Sequence, residues 1–260
     1  MITSVHNPKI QMVHRLQSQV KARREEQAFV VEGVRLAEEV LQADWIAQQI
    51  FFTAQLDKRG KAVVEGFTAR DVPIEQISQA VMEAVSATET PQGLLVVVSQ
   101  QTLPLPDAPN FLLILDGLRD PGNLGTVLRT AQAAGVQGVL LAPGCADAWS
   151  GKVLRAGMGA HFHLPIHALG WSEIRHIVKK SPDRLMVYLA DSTAGVSYTQ
   201  AGFRSPLALI VGGEAAGAGT EALSLADEKV HIPMPGGSES LNAAIAASIL
   251  LFEVVRQRAQ

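Results

Sequence analysis

A short turn and the helix after it place polar and cationic residues directly behind an apolar run, at residues 116–135. The sequence Asp120-Pro121-Gly122-Asn123 is typical of a tight turn, and we expect Asn123 to cap a helix that begins at Leu124. Arg129 lies about one and two-thirds turns further along that helix, so its guanidinium can project from the side of the loop. A guanidinium there could bind a phosphate or hold a ribose hydroxyl. Taken alone, the segment fits a surface helix with an incidental arginine better than a binding site.

A second polar loop follows the apolar run LALIVG and continues to residue 219. Gly212 and Gly213 allow the backbone to approach a ligand closely and permit positive φ angles, and Glu214 follows them directly. The loop is not a Walker A loop, because no Lys-Ser or Lys-Thr follows Gly217, and it lacks the G-x-G-x-x-G spacing of a dinucleotide fingerprint. Glycine content alone predicts a turn as readily as a ligand site.

A third loop places short polar residues before a long helix that is apolar on nearly every face, expected over residues 241–257. Ser238, Ser240 and Asn242 cluster where this helix begins. A helix start offers N–H donors that suit a carboxylate or another oxygen-rich ligand. A helix that is apolar all round must be buried, inside the domain or against a partner. Simple capping by Ser240 is the alternative, but it explains one residue and not the cluster.

Residues 110–260 alternate β-branched-rich apolar runs with helical patterns, which predicts a parallel sheet covered by helices on both faces. The predicted strands are FLLILD (111–116), GVLLA (138–142), FHLPI (162–166), LMVYLA (185–190), LALIVG (207–212) and VHIPM (230–234). The predicted helices cover residues 124–134, a short stretch near 152, 171–180, 221–226 and 241–257. Ligands bind at the carboxyl ends of such strands. We therefore expect the three polar loops to gather at one edge of the sheet.

A proline-rich segment, residues 100–109, has no hydrophobic period and is expected to be an extended linker. Before it, short strands alternate with helices, among them a helix over residues 10–28 and a buried strand at 94–98, as in a small α/β sandwich. The expected organisation is therefore one domain at 1–99, a linker at 100–109 and a second domain at 110–260.

The composition is that of an ordinary globular protein, with 260 residues, 47% hydrophobic and 18% charged. No apolar run reaches the roughly 18 residues of a membrane span, and the first residues do not resemble a secretory signal. We therefore expect no membrane partner. Cys145 is the single cysteine and cannot form an intramolecular disulfide, which favours the cytoplasm.

Charge permits nucleic-acid binding but does not require it, because the formal net charge is −3. Phosphate binding needs a local basic surface, and cations outnumber carboxylates near the start of the chain. The residues we expect to contact RNA are Lys9, Arg23, Arg24, Arg35 and, later in the chain, Arg155. A solvated helix face is the alternative explanation. His161 and His163 alternate in a strand pattern, which favours packing or RNA contact, and we expect no metal site.

Taken in order, the three loops resemble the three motifs of the SpoU, or TrmH-like, RNA ribose 2′-O-methyltransferases. The pattern N-x-G-x-x-x-R is matched at residues 123–129, and a strand running into G-x-E-x-x-G is matched at 207–217. The third motif, Ile-Pro-Met followed by Ser-Leu-Asn and a long helix ending near Arg-Gln-Arg, is matched at 232–258. The segment KVLRAGMGAHFHLPI is also similar to a family stretch. Three ordered motifs over about 150 residues are a specific match.

This resemblance implies an α/β fold with a deep trefoil knot, a rare exception to the rule that chains do not thread themselves. It implies S-adenosylmethionine as cofactor and a ribose 2′-hydroxyl as methyl acceptor. The residues it assigns to catalysis are Arg129, Asn123, Glu214, Ser240 and Asn242. Those it assigns to the cofactor are Gly212, Gly213, Ile232, Met234 and Leu241. We expect Arg129 to orient the hydroxyl rather than act as a base, because a guanidinium stays protonated.

Residues 1–99 resemble the RNA-binding domain that often precedes this catalytic domain, through Asn7 to Lys9 and the stretch FVVEGVRLAEEVL. Two departures from the family pattern, Ala215 and Gly157, leave the exact substrate open. The resemblance implies a homodimer. Ribosomal RNA is favoured as substrate, with transfer RNA as the alternative, and DNA, which lacks the 2′-hydroxyl, is not expected to react. A methyltransferase acting on a base nitrogen, a non-catalytic RNA-binding protein on the same scaffold and a small-molecule nucleotide-binding protein are the other hypotheses.

Overall fold

The computed structural model describes residues 1–192, 194–213 and 217–260. It divides the chain into two compact units. The first contains Met1–Gln101 and Trp149–Phe162, and the second contains Thr102–Ala148 and His163–Gln260. In the part of the chain that is described, no helix is long and apolar enough to cross a bilayer.

The first unit alternates short helices and strands, as its sequence predicts. In chain order its elements are α1 (Pro8–Ser18), α2 (Val20–Glu26), β1 (Ala28–Glu32), α3 (Val34–Gln42), β2 (Ala47–Phe52), α4 (Lys58–Thr68), β3 (Ile74–Gln76), α5 (Gln79–Val85) and β4 (Leu94–Ser99). The sheet has the order β1-β4-β2-β3, with β4 antiparallel to both of its neighbours and β3 parallel to β2. One core packs α1 and α5 against the sheet through Ile10, Val13, Leu16, Val81 and Met82.

The single helix expected over residues 10–28 is instead two helices. Gln19 breaks it with an extended backbone (φ −123°, ψ 119°), and Asn7 caps the start of α1 by accepting from the Lys9 amide. A buried side chain joins the two pieces, because the Arg23 guanidinium donates to the carbonyls of Leu16 and Gln17 at the end of α1.

The segment Trp149–Phe162 packs within the first unit, although it is far along the chain. It forms α7 (Gly151–Gly157) and a turn of 3-10 helix, Ala160–Phe162. Its rings join an aromatic cluster in which Phe29 lies 4.8 Å from Trp149 and Trp45 lies 5.3 Å from Phe162, between ring centroids. The Trp45 indole N–H donates to the Phe162 carbonyl at 3.2 Å, so this buried indole has a hydrogen-bond partner. The expected division into consecutive domains at 1–99 and 110–260 does not predict that residues 149–162 pack with the first unit.

The second unit is built on parallel strands, as predicted. Its elements are β5 (Phe111–Asp116), α6 (Pro121–Ala133), β6 (Gly138–Leu141), β7 (Ile166–Ala168), α8 (Trp171–Lys180), β8 (Met186–Ala190), β9 (Val196–Ser197), β10 (Leu207–Gly212), α9 (Thr220–Leu225), β11 (Glu228–His231) and α10 (Ala243–Arg258). Within the described residues the strand order is β7-β6-β5-β10-β8-β11-β9, and all the neighbouring pairs are parallel.

Helices cover both faces of this sheet. On one face, alternate strand residues such as Ile114, Leu189 and Ile210 pack against Ile174 of α8 and Ala222 of α9. On the other face, α10 packs against β10 and α6. The carboxyl ends of the adjacent strands β10, β8 and β11 therefore open at the same edge, beside the start of α10.

Two sequence predictions about this unit were wrong. The strand expected at 162–166 is a 3-10 turn followed by a loop, and β7 begins at Ile166, since Pro165 cannot donate to a ladder. His161 and His163 thus do not alternate on a strand: His161 is buried in the turn and His163 is exposed. The threading of α10 through the preceding loops, which the resemblance implies, stays a prediction.

Candidate active site

The turn after β5 is held by Asp120, not by Asn123. The Asp120 carboxylate accepts from the Asn123 amide at 2.8 Å and caps α6, whose first residue is Pro121. The sequence expectation that Asn123 caps a helix starting at Leu124 was therefore wrong. Both residue types are good caps, but proline is preorganised for the first helical position, so the helix starts one residue after the aspartate. The Asn123 side chain instead accepts a hydrogen bond from Asn242.

The start of α10 is capped by Asn242. Its Oδ1 accepts from the amides of Ala244 (2.9 Å) and Ile245 (3.3 Å), and its Nδ2 donates to Asn123 Oδ1 at 3.1 Å. Ser240, the alternative cap, is exposed in the loop before the helix. The first turns of α6 and α10 are therefore joined side chain to side chain.

Close backbone approach shapes the loop after β10. A Cβ on Gly212 would lie 2.8 Å from the carbonyl of Gly217, and one on Gly213 would lie 2.4 Å from the carbonyl oxygen of Gly117. The Asp116 carboxylate at the end of β5 accepts from the Gly219 amide at 2.7 Å. The close approach is therefore to the chain's own backbone, and the approach to a ligand expected of Gly212 and Gly213 stays a prediction. Glu214 and Ala215 lie outside the described residues.

A cavity of about 590 Å³ opens between these loops and the start of α10. Its walls come from the ends of β8, β10 and β11 and from the first turns of α10. The lining residues are Ala190, Asp191, Ser192, Val211, Gly212, Gly213, Gly217, Ala218, Val230, Ile232, Met234, Glu239, Ser240, Leu241, Asn242, Ala243, Ala246 and Leu250.

All the residues that the sequence assigns to the cofactor line this one cavity: Gly212, Gly213, Ile232, Met234 and Leu241. Of the residues assigned to catalysis, Ser240 and Asn242 also line it, and Asn123 is hydrogen-bonded to Asn242. Arg129 does not line the cavity. It is exposed on α6, and its guanidinium has no hydrogen bond or ion pair with any residue in 1–192, 194–213 or 217–260.

Sequence reasoning missed a polar group at the end of β8. The Asp191 carboxylate accepts from the Ala194 amide and from Lys229 Nζ, each at 3.1 Å, and Asp191 and Ser192 both line the cavity. The signal was available: Asp-Ser-Thr follows the buried run LMVYLA at the carboxyl end of a strand, where ligands bind. Unlike the loop after β10, this segment does not begin with two glycines.

The lining suits a ligand with an apolar body and charged ends. Ile232, Met234 and Leu241 supply apolar wall, and the closely packed backbone of the glycines supplies N–H and C=O groups. The carboxylate of Asp191 suits a positively charged part of a ligand. S-adenosylmethionine has such a constitution, with a flat base, a sulfonium and an amino-acid end. The residues present therefore fit this cofactor.

Cys145, the single cysteine of the chain, is not a candidate nucleophile. Burial raises the pKa of Cys145, and its Sγ donates to the Leu115 carbonyl at 3.2 Å. A neutral, hydrogen-bonded thiol is a poor nucleophile. Cys145 therefore serves the packing at the end of β5.

The cations expected to contact RNA have different surroundings. Lys9 is exposed and pairs with Glu75, while Arg24 and Arg35 are exposed. Arg155 lies 3.9 Å from the Glu32 carboxylate. Arg23 is only 3% exposed and is bonded to the end of α1, so the structure contradicts the expectation that it contacts RNA. Its position beside exposed cations in the sequence gave no sign of this burial.

Comparison with known proteins covers both units. Residues 110–252, more than half of the chain, match the SpoU rRNA methylase family, and residues 7–96 match the MRM3-like substrate binding domain. The chain belongs to the SpoU rRNA methylase family. The α/β fold with a parallel sheet, predicted from the alternation of strands and helices, is confirmed.

Members of the family with similar sequence and structure match over almost the whole chain. The 23S rRNA (guanosine(2553)-2'-O)-methyltransferase RlmP of Bacillus subtilis is 33% identical over 253 residues, which cover 97% of this chain and 98% of that protein. A solved structure of an AdoMet-bound rRNA methyltransferase from Sinorhizobium meliloti has a TM-score of 0.87 at 30% identity, covering 98% of this chain and 97% of that one. The SpoU methyltransferase AviRb from Streptomyces viridochromogenes, in complex with AdoMet, has a TM-score of 0.89 at 27% identity, covering 98% and 99%.

Proposed function

We propose that the protein is an S-adenosylmethionine-dependent RNA methyltransferase that modifies a ribose 2′-hydroxyl of large-subunit ribosomal RNA. One observation carries this proposal. The residues that the motifs assign to the cofactor, together with Ser240 and Asn242, line a single cavity at the carboxyl ends of adjacent parallel strands. The Bacillus relative, which matches over 98% of its length, is named as a 23S rRNA 2′-O-methyltransferase.

The cofactor would be held by the chain's own loops. Backbone of Gly212 and Gly213 and the side chains of Ile232, Met234 and Leu241 would hold its adenosine part, and Asp191 would face its positively charged atoms. When bound, S-adenosylmethionine supplies a methyl group carried on a sulfonium sulfur.

The polar side chains at the cavity mouth would position the acceptor. Asn242 is fixed by the cap of α10 and by its bond to Asn123, so it presents a preorganised surface to the ribose. Arg129 has a guanidinium without a partner in the described residues and is suited to hold the hydroxyl or the neighbouring phosphate. Because a guanidinium does not accept a proton, the hydroxyl proton would leave to a phosphate oxygen or to water.

The first unit would bind the RNA outside the reacting nucleotide. Its match to a substrate binding domain and the exposed side chains of Lys9, Arg24 and Arg35 support this role. Phosphate contacts of this kind position an RNA without reading its sequence. The first unit would therefore bind the RNA, and the second unit would carry out the chemistry. The single cysteine supports a cytoplasmic location.

A homodimer is also part of the proposal. Ile245, Ile249 and Phe252 lie at helical spacing along α10, and Ile245 and Phe252 are 53% and 49% exposed. An exposed apolar stripe on an otherwise buried helix is typical of a protein interface. A second copy of the same helix would cover it by two-fold symmetry.

The substrate class is tested by methyl transfer from labelled S-adenosylmethionine to equal amounts of unmodified large-subunit rRNA, small-subunit rRNA, tRNA and a DNA copy of the first. We expect label in large-subunit rRNA alone, at a linkage that resists alkali because its 2′-oxygen is blocked. Label in tRNA would show that tRNA is a substrate and would leave the proposed reaction in place. Cofactor binding without label in any RNA would overturn the proposed activity.

A further inference from the structure

A second cavity, of about 320 Å³, lies wholly within the first unit, far along the chain from the loops described above. It is formed where β1 and β2 end, where β4 begins, and where α3, α4 and α5 start. Most of its lining is polar, and the side chains that matter here are Arg35, Thr53, Gln55, Asp57, Arg59 and Gln92. Nothing in the three motifs uses these residues.

Thr53 shows that the cavity is suited to a hydrogen-bonding ligand. The residue is only 2% exposed, lines the cavity, and its hydroxyl has no hydrogen bond to any other part of the chain that the structure describes. A hydroxyl at a cavity wall that has no partner in the chain can donate to or accept from a bound ligand. A Cβ on the neighbouring Gly93, whose φ is +79°, would lie 2.4 Å from the Thr53 hydroxyl, so glycine keeps this oxygen uncovered.

The charges at the rim favour an anion. The first turn of α4 carries Lys58, Arg59 and Lys61 and no acidic residue, and the first turn of α3 carries Arg35. Cations at a helix N-terminus oppose the helix dipole, and a bound anion removes that conflict. The Arg35 guanidinium makes no hydrogen bond or ion pair within the described residues, whereas Arg59 is paired with Glu38.

The walls offer both donors and acceptors, so a bare phosphate is a poor match. Asp57 caps α4 by accepting from the Gly60 amide at 2.7 Å and brings negative charge to the wall. Gln92 accepts from the Val34 amide at 2.9 Å through Oε1, which leaves its NH₂ to donate. Amides, a carboxylate and a hydroxyl are the groups that pair with the edges of bases, while guanidinium groups bind phosphate or stack on bases.

We propose that this cavity, the Thr53 pocket, binds one unpaired nucleotide of the substrate RNA, with the base inside and its phosphate at Arg35. The volume admits a single base and not a paired duplex, and specific RNA recognition uses such splayed nucleotides. The inference rests on the proposed function and names the part of the first unit that reads the RNA. It assigns Thr53 and Gln92 to the base and Arg35 to the backbone.

The test compares Thr53→Val and Arg35→Gln with the wild-type full-length protein, using an unmodified large-subunit rRNA transcript. We expect KM for RNA to rise about tenfold in each variant, with kcat at saturating RNA and the affinity for S-adenosylmethionine unchanged. Arg35→Gln should also reduce the slope of the logarithm of the RNA-binding constant against the logarithm of the salt concentration by about one, because it removes a phosphate contact. Thr53→Val should leave this slope unchanged. Arg70→Gln is the matched control: it removes an exposed cation of the same unit that pairs with Asp44 outside the pocket, and KM should not change.

A direct readout keeps the inference separate from the enzymatic activity. A transcript carrying 4-thiouridine should crosslink to peptides containing Arg35, Thr53 or Gln92, whether or not methyl transfer occurs. Unchanged KM in both variants, or crosslinks confined to other surfaces, would overturn the inference and leave the pocket to a protein partner. Crosslinks in the pocket without transfer to any RNA would instead support it while overturning the proposed catalysis.

Discussion

Asn242 Nδ2 donates to Asn123 Oδ1 at 3.1 Å, across 119 residues of sequence. Asn242 also caps α10, and the backbone amide of Asn123 donates to Asp120. Each asparagine is therefore held in place by its own helix start as well as by the bond between them. The bond therefore joins two preorganised helix starts at the mouth of the cavity. This explains why short polar residues occur at both positions.

Asn123→Ala should impair methyl transfer with little effect on stability. It removes the bond between the loops but leaves the caps of both helices in place, so we expect a loss of kcat of about tenfold or more and a small change in Tm. Asn242→Ala should lower the free energy of unfolding by about 1 kcal/mol as well, because it removes a cap. Thermal unfolding and single-turnover transfer measure the two effects.

The double variant separates a shared role from two independent ones. If the bond is what matters, Asn123→Ala should cost little further activity in the Asn242→Ala background. Fully additive losses in kcat would show that the two side chains act separately, against this interpretation.

Gly212→Ala should abolish cofactor binding. The added Cβ would lie 2.8 Å from the Gly217 carbonyl, and because backbone cannot yield as a side chain does, the loop must move out of its fold. Gly236→Ala is the matched control, since its Cβ would meet nothing within 4 Å. Titration calorimetry with S-adenosylmethionine should show no binding for the first variant and wild-type affinity for the second. Equal affinities would refute the assigned role of this loop.

Phe252→Glu should dissociate the proposed dimer. It places a charge within the apolar stripe of α10, at its most C-terminal residue, where burial against a second copy would leave the charge unpaired. Leu223→Glu, at another exposed apolar position (43%) of the second unit, should leave the assembly unchanged. Sedimentation velocity gives the mass of each. A monomeric wild type, or a dimeric Phe252→Glu, would contradict the proposed interface.

Glu253→Gln should reduce the dependence of stability on acid pH. The hydrogen bond from Arg256 lowers the pKa of Glu253 below its usual 4.5, with a further bond from Gln257. A lowered folded-state pKa means that the ionised carboxylate stabilises the fold above the usual pKa and that this is lost as the pH falls through the lowered value. We expect the variant to be less stable than wild type by about 1 kcal/mol at pH 7, since Arg256 is half exposed, and the difference to vanish in acid, once the pH lies below the lowered pKa of Glu253. Urea unfolding at both pH values tests this, and a difference that persists in acid would contradict it.

Much of the second unit is predictable because its strands are continuous apolar runs. Phe111–Asp116 and Leu207–Gly212 have the expected bounds, as does the helix Trp171–Lys180. The prediction that the three polar loops share one edge follows from parallel topology alone. Sequence reasoning also named lining residues of the cavity at the end of β10, after β11 and before α10: Gly212, Gly213, Ile232, Met234, Ser240, Leu241 and Asn242.

What could not be predicted depends on contacts distant in sequence. Nothing near Gln19 marks the break between α1 and α2, which is stabilised by the guanidinium of Arg23 folding back onto α1. The short edge strands β3 and β9 carry no periodic signal. The return of Trp149–Phe162 to the first unit requires its aromatic partners Phe29 and Trp45. The hydrogen bond between Asn123 and Asn242 also joins residues that are far apart in the sequence, so the sequence does not predict it.

The most direct test of the central claim is a nucleoside analysis of unmodified large-subunit rRNA after incubation with the protein and S-adenosylmethionine, beside Arg129→Ala. We expect one 2′-O-methylated nucleoside per rRNA, located at a single position by reverse-transcription stops at low nucleotide concentration. We expect this product to be lost in the variant, with cofactor affinity unchanged. A methylated base in place of a methylated ribose, or full activity in Arg129→Ala, would contradict it.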